Sequence, residues 1–273
     1  MGLYEEMERV LKEESLDLVH AATLLGRLGP SPSDVKSVFE ELDRMAAELR
    51  ERLQDVPPEG RRLQILNRYL FDELGFRGNE EDYNDPRNSF LGEVLRRKTG
   101  LPITLSLVYV EVGTRAGLTL AGVGFPGHYL VRLEEEGGPR FVDPFHGGRV
   151  LEEEDLKSLL RGGSGQEVPL DPAFLRPATE RETLTRMLYN LKGLYMTSED
   201  FEKLLQVLDL LLLLDPRSSL DHRDRGLLHY EVGEFLKARA DLQAYLELDP
   251  SAGDAEIIRE HLNDVESRLR MFR

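Results

Sequence analysis

Two side chains near the middle of the chain, His128 and Asp143, have the types and the setting for proton-transfer chemistry. His128 stands just before the apolar run Tyr129 to Leu133, and Asp143 follows Arg140-Phe141-Val142. Gly137-Gly138 between these runs reads as a hairpin turn. If Leu133 faces Arg140 across that hairpin, Leu130 pairs with Asp143. His128 then lies on the same face as Asp143, a diagonal neighbour about 7 Å away between backbones. An imidazole backed by a carboxylate is fixed in tautomer and made more basic, as a general base requires. The same pair could instead do no more than join two strands. His146, three residues after Asp143, makes a three-ligand metal set with His128 and Asp143 conceivable. Pro144 and Gly147-Gly148 suggest a turn that points His146 away, so no metal is expected.

The chain contains no cysteine. Disulfides, thiolate metal sites and a cysteine nucleophile are all excluded. Gly122, Gly124 and Gly127 do not form a phosphate loop, because no helix opens after them, and no cofactor is implied. The net charge is −16, with 51 acidic against 35 basic residues. Most of the surface would repel a phosphate backbone, so nucleic acid is not an expected partner. The longest apolar run, Leu208 to Leu214, is broken by Asp209 and falls short of the roughly 20 residues that span a bilayer. With no signal pattern at the N-terminus, the sequence reads as cytoplasmic.

The elements that must position His128 and Asp143 follow from periodicity. The first ~80 residues read as helices. The clearest follows Ser31-Pro32-Ser33-Asp34, with Ser31 as the cap, Pro32 in the first turn and Asp34 completing a capping box. Val35, Val38, Phe39, Leu42, Met45, Ala46, Leu49 and Leu53 form its apolar stripe, and Val56-Pro57-Pro58-Glu59-Gly60 ends it. A second amphipathic run from Leu63 to Leu74 stops at Gly75. Phe90 to Lys98 reads as a short helix closed by Gly100. Pro102 begins another that runs to Arg115 and ends at Gly117. Strand-like content follows at Leu118 to Phe125, Tyr129 to Leu133 and Arg140 to Asp143, so a helix feeds an antiparallel sheet. Glycine and proline gather from Gly162 to Pro177, a linker or a segment wrapped over the core.

Beyond that segment the chain is helical and repetitive. Leu214-Asp215-Pro216 recurs as Leu248-Asp249-Pro250, and the same spacing joins Leu194 to Leu228, Phe201 to Phe235 and Leu208 to Leu242. That spacing is the 34-residue period of a tetratricopeptide array, with paired helices closed by a proline. Ile257 to Phe272 reads as a capping helix.

Four segments in order carry a resemblance: Asn88-Ser89, Gly100-Leu101-Pro102-Ile103-Thr104-Leu105-Ser106, Gly122-Val123-Gly124-Phe125-Pro126-Gly127-His128 and Val142-Asp143-Pro144-Phe145. The pattern resembles the Sir-B type regulator branch of the transglutaminase-like superfamily, whose members often carry C-terminal tetratricopeptide repeats. The resemblance implies a papain-like layout: a nucleophile at a helix N-terminus, a His base on the next strand and an Asp on its partner strand. The nucleophile's neighbourhood here holds Ile103, Thr104 and Leu105, with Ser106 further in. Thr104 either caps the helix or serves as a hydroxyl nucleophile activated by His128. Asn88 and Tyr83 could hydrogen-bond in the cleft or merely belong to the Asn84-Asp85-Pro86 turn, and Phe125 would line the same cleft.

The expected fold is α+β. It comprises a helical N-terminal region (1–80), a transglutaminase-like helix-plus-antiparallel-sheet core (81–160), a linker (161–180) and an all-α tetratricopeptide-like tail (181–273). The expected function is non-catalytic or regulatory: a degenerate cleft and a repeat tail that bind a peptide or protein partner. The alternative is a hydrolase or acyltransferase acting on peptide-like bonds, with Thr104 or Ser106, His128 and Asp143 as its residues.

Overall fold

In the computed structural model, residues 2–57, 61–162 and 168–271 are described. The anticipated helix end at Pro58-Glu59-Gly60, part of the Gly162–Pro177 segment and Phe272 lie outside them. The chain divides into two compact units, Lys12–Met187 on one hand and Met1–Leu11 with Leu188–Arg273 on the other.

The first helix, α1 (Leu3–Leu11), belongs to the repeat-bearing unit, where it packs on α9, described below. The other unit opens with α2 (Leu18–Leu24), α3 (Val35–Leu53) and α4 (Arg62–Asn67), the last running on into a wider π turn over Arg68–Glu73. The apolar stripe of α3 is buried at Val38, Leu42, Met45, Ala46, Leu49 and Leu53. Its cap is Asp34, not Ser31: Asp34 has extended backbone and accepts a hydrogen bond from Ser37 N at 3.1 Å. Asp34 directly precedes the first helical residue, and only from there does a side-chain oxygen reach the open backbone N–H groups of the first turn.

A two-residue strand, β1 (Arg77–Gly78), pairs in parallel with β2 (Thr99–Gly100), a feature that periodicity did not announce. Between them lies α5 (Leu91–Arg97). Lys98 closes it in the left-handed conformation (φ 57°), so Gly100 is free to enter β2 rather than to end the helix. A Cβ on Gly100 would meet Thr104 Oγ1 at 2.8 Å, so this strand position admits only glycine beside the Thr104 hydroxyl.

The central element is α6 (Pro102–Arg115). Pro102 opens it, where a missing N–H costs nothing. Ten of its residues, Pro102 to Tyr109 with Val112 and Gly113, are buried. A helix apolar on nearly every side must be covered on several. Helices α3 and α5 supply part of the cover, and β3 (Leu120–Val123) and β4 (Leu130–Leu133) another part. With β5 (Arg140–Asp143) and β6 (Arg149–Leu151) these strands form an antiparallel meander in the order β3-β4-β5-β6. Leu133 faces Arg140 and Val131 faces Val142, the register read from the hairpin pattern. Helix α7 (Glu153–Arg161) follows, and Leu170, Phe174 and Leu175 pack against the cluster of Val123, Phe125, Leu130 and Phe141. The described part of the Gly/Pro-rich segment therefore covers the core.

The second unit contains α8 (Glu180–Thr197) from Leu188 onward, then α9 (Phe201–Leu214), α10 (Ser219–Glu231), α11 (Phe235–Leu248) and α12 (Ala255–Met271). The sequence period is a structural one. Phe201 and Phe235 each open a helix, Leu214 and Leu248 each close one, and Leu208 and Leu242 are both fully buried. Polar groups as well as apolar ones join these helices. Lys192 Nζ sits 2.7 Å from Asp221 Oδ1 and 2.6 Å from Asp224 Oδ2, with Asp221 1% exposed. Asp241 accepts from Arg225 and lies 2.9 Å from His222 Nδ1.

Lys192→Met should lower the unfolding free energy of the intact protein by about 3–5 kcal/mol in urea titrations, because it leaves Asp221 buried without its cation. Asp241 gives the pH dependence. Burial pushes its carboxyl up, but Arg225 and His222 outweigh this and hold it below the ordinary value of 3.8. A carboxyl lowered in the folded state stabilises above its unfolded pKa, and that stabilisation is lost as pH falls through the folded one. Asp241→Asn should therefore flatten the fall in stability on acidification below pH ~4. An unchanged acid slope would show that Asp241 titrates alike folded and unfolded.

Candidate functional site

His128 reaches its position through a tight turn that leaves β3. Phe125, fully buried, anchors the turn in the core; Gly127 takes φ +71°, and His128 N donates to Phe125 O at 3.1 Å. The chain then enters β4. Across the sheet, Asp143 is the last residue of β5 and caps a 3₁₀ turn, Pro144–His146. Its Oδ1 accepts from Phe145 N at 3.0 Å and His146 N at 3.4 Å. Its Oδ2 lies 2.9 Å from His128 Nε2 and 2.7 Å from His146 Nδ1. Asp143 is 2% exposed in its side chain, His128 12% and His146 48%, so a buried carboxylate anchors two rings of graded access. Burial pushes the Asp143 carboxyl up, yet the hydrogen bonds and charge of His128 and His146 hold it below its usual value.

The 3₁₀ turn is itself pinned. Gly147 and Gly148 both adopt positive φ, and Gly148 N donates to Asp143 O at 2.9 Å. Asn67 Nδ2 donates to Gly148 O at 2.7 Å, while Tyr109 Oη donates to Asn67 Oδ1 at 2.6 Å. A Cβ on Gly148 would fall 2.3 Å from Asn67 Oδ1, which together with its φ of +73° leaves glycine alone workable there. The half-exposed Tyr83 ring meets Phe145 edge-on at 6.0 Å, and Phe145 meets His128 edge-on at 6.2 Å.

The His128–Asp143 contact is the one the hairpin register implies. His146 is a correction: the turn does not point it away but folds it back onto the same carboxylate oxygen. The physical reason is the Asp-Pro start, since an Asp capping a tight turn holds the third residue of that turn close to its own side chain. Thr104 is separate. Its hydroxyl is fully buried, donates to Asn88 O at 2.7 Å and accepts from Leu101 N at 3.0 Å. Ser106 is equally buried, with Oγ 3.4 Å from Tyr129 O. Asn88, also fully buried, spends its amide nitrogen on Asp82 O and its amide oxygen on Asn79 Nδ2. Phe125 belongs to the core rather than to a cleft wall. Of the residues singled out in the sequence, His128 and Asp143 therefore meet, with Tyr83 near by, while Thr104, Ser106, Asn88 and Phe125 are engaged elsewhere.

The model matching residues 36–189 is that of the transglutaminase-like superfamily. This chain belongs to that superfamily. A tetratricopeptide repeat model matches residues 191–263. Among curated relatives, a UPF0162 protein of Xylella fastidiosa is 38% identical, covering 93% of this chain and 91% of that protein. A UPF0162 protein of Vibrio cholerae is 28% identical over 92% and 93% of the respective chains. Protein SirB1 of Salmonella typhimurium is 27% identical over 84% and 85%. A crystal structure of menin overlaps with a TM-score of 0.38 at 11% identity, covering 96% of this chain and 74% of that one.

One residue of this transglutaminase-like domain had no local signal in the sequence. Arg186 donates from Nη2 to His128 O at 2.7 Å and lies over the Tyr129 ring, 5.7 Å from its centroid. Among the described residues it pairs with no carboxylate, and burial lowers its pKa. It lines a cavity of about 390 Å³ with Gly124, Tyr129, Phe174 and Glu182. Nothing in its own helix distinguishes it from the other arginines; only the packing of residues far apart in the chain brings it to His128.

Asn67→Ala should destabilise the protein by about 1–3 kcal/mol, since it strips a partner from the buried Tyr109 hydroxyl and from Gly148 O. Urea unfolding measures it, and a loss below the error of the method would mean that the 3₁₀ turn holds itself.

Proposed function

We propose that the protein is a non-catalytic interaction protein, binding a peptide or protein partner through the His128 face of its transglutaminase-like domain and through its repeat tail. The observation that carries this reading is the engagement of Thr104. Its hydroxyl proton is held by Asn88 O, and its oxygen accepts from Leu101 N. A hydroxyl is far less acidic than a thiol and attacks only when a base takes its proton as it does so. Here that proton is directed at a backbone carbonyl, inside the first turn of α6, and the hydroxyl closes the reciprocal half of a capping arrangement. His128 directs its Nε2 at Asp143 instead.

Two features support a partner-binding role. Tetratricopeptide repeats are built to present surfaces to other proteins, and apolar side chains stand exposed on them, with Leu236 65% and Ile257 57% accessible. Beside His128, Arg186 offers a guanidinium with no acidic partner among the described residues, on a chain of net charge −16. It would receive a carboxylate of the partner, for which a planar fork of donors is well suited. Among the described residues no helix is long and apolar enough to cross a membrane. A cytoplasmic setting is part of the same proposal.

Two measurements test the reading. The purified protein should show no covalent labelling by a fluorophosphonate probe; labelling abolished by both His128→Ala and Thr104→Ala or Ser106→Ala would establish a hydrolase. A random-peptide library panned against the intact protein should yield carboxylate-bearing ligands whose binding weakens about tenfold or more in Arg186→Ala, the loss of one charge-assisted contact. Ligands indifferent to Arg186 and to Leu236→Glu alike would remove both surfaces from the proposal.

A further inference from the structure

We propose that His128, Asp143 and His146 bind a single divalent transition-metal ion of the zinc type. The nitrogen and oxygen atoms that would ligate it lie within 4.8 Å of one another. His128 Nε2 and His146 Nδ1 approach the same oxygen, Asp143 Oδ2, at 2.9 and 2.7 Å. Two imidazoles and one carboxylate converging with an open side form a set suited to zinc or another imidazole-preferring ion. Ligand atoms around a tetrahedral ion at about 2.0–2.1 Å are spaced somewhat more widely than these hydrogen bonds. The adjustment moves both ring nitrogens away from Asp143 Oδ2 and draws together ligand atoms that lie up to 4.8 Å apart, and the His146 side chain, 48% exposed, has room to move.

The surroundings are those that orient metal ligands. Asp143 Oδ1 is held by Phe145 N and His146 N, leaving Oδ2 turned toward the rings. Glu80 Oε1 lies 3.8 Å from His146 Nε2, the nitrogen facing away from Asp143, beyond hydrogen-bond distance and on a side chain that is 72% exposed. To ligate through Nδ1, His146 must carry its proton on Nε2, whereas its contact with Asp143 Oδ2 uses Nδ1 as the donor. His128 likewise must carry its proton on Nδ1 to ligate through Nε2. No bond is made or broken at carbon, and the ion exchanges two N–H···O contacts for three coordinate bonds. The open side, where His146 meets solvent, leaves a fourth position for water or for a group of a partner.

The inference is independent of the partner-binding proposal and fails separately from it. The intact protein, stripped with a chelator and then titrated with Zn²⁺ in competition with a chromophoric chelator, should take up one equivalent. His146→Ala should weaken that binding by more than ~100-fold, beyond the usual cost of losing an outer partner of a ligand. Cobalt(II) bound in place of zinc should give visible absorption bands that vanish in His146→Ala. Circular dichroism of His146→Ala, a change at a half-exposed side chain, should match the parent and so separate lost ligation from lost folding. Absence of stoichiometric uptake by the parent protein, or uptake unaffected by His146→Ala, would overturn the assignment and leave a hydrogen-bonded His-Asp-His cluster.

Discussion

The transglutaminase-like unit depends on the burial of α6. A helix whose first eight residues are all buried cannot stand at a surface, and each face must meet another element before the chain gains from folding. Helices α3 and α5 and strands β3 and β4 are placed by that demand. Once they are placed, the N-terminus of α6 abuts the loop bearing Asn88, and the hairpin that ends in Asp143 has one register consistent with Val131 and Val142 facing the interior. A shift by one residue would turn every inward side chain outward.

The polar groups of the site are arranged around burial in the same way. Asp143 is nearly inaccessible, and a buried carboxylate without partners is costly. Two backbone N–H groups of its own 3₁₀ turn and two imidazoles meet that requirement. The hydrogen bonds that satisfy the carboxylate also decide which way both histidines point. Thr104 meets the same demand at the start of α6: its hydroxyl is a structural partner of Asn88 O and Leu101 N, and Gly100 is kept without a side chain beside it.

Much of this was legible in the residues. The Asp-Pro spacing of the tail showed the repeat, because both copies solve the same local problem of ending a helix after a leucine-lined face. The hairpin register followed from alternation and from Gly137-Gly138, and with it the meeting of His128 and Asp143. The glycines behind His146 suggest a turn that points it away, but the Asp-Pro pair before it is the stronger local signal. Ser31 suits a cap by residue type, but Asp34, directly preceding the first helical turn, has the better reach. The parallel pairing of β1 and β2 left no mark, since two-residue strands are too short to show a period.

Periodicity, turn residues and the absence of cysteine determined by themselves the helix-then-sheet order, the repeat tail and the exclusion of a thiol mechanism. These are properties of neighbouring residues or of composition, and local sterics and side-chain chemistry suffice to express them. The tertiary structure alone decided that Thr104 bonds to Asn88, that Phe125 is core, that Arg186 reaches His128 and that Glu80 approaches His146. Each of these joins residues remote from one another or depends on what fills the space around them, and the energy that selects them exists only when the chain is packed.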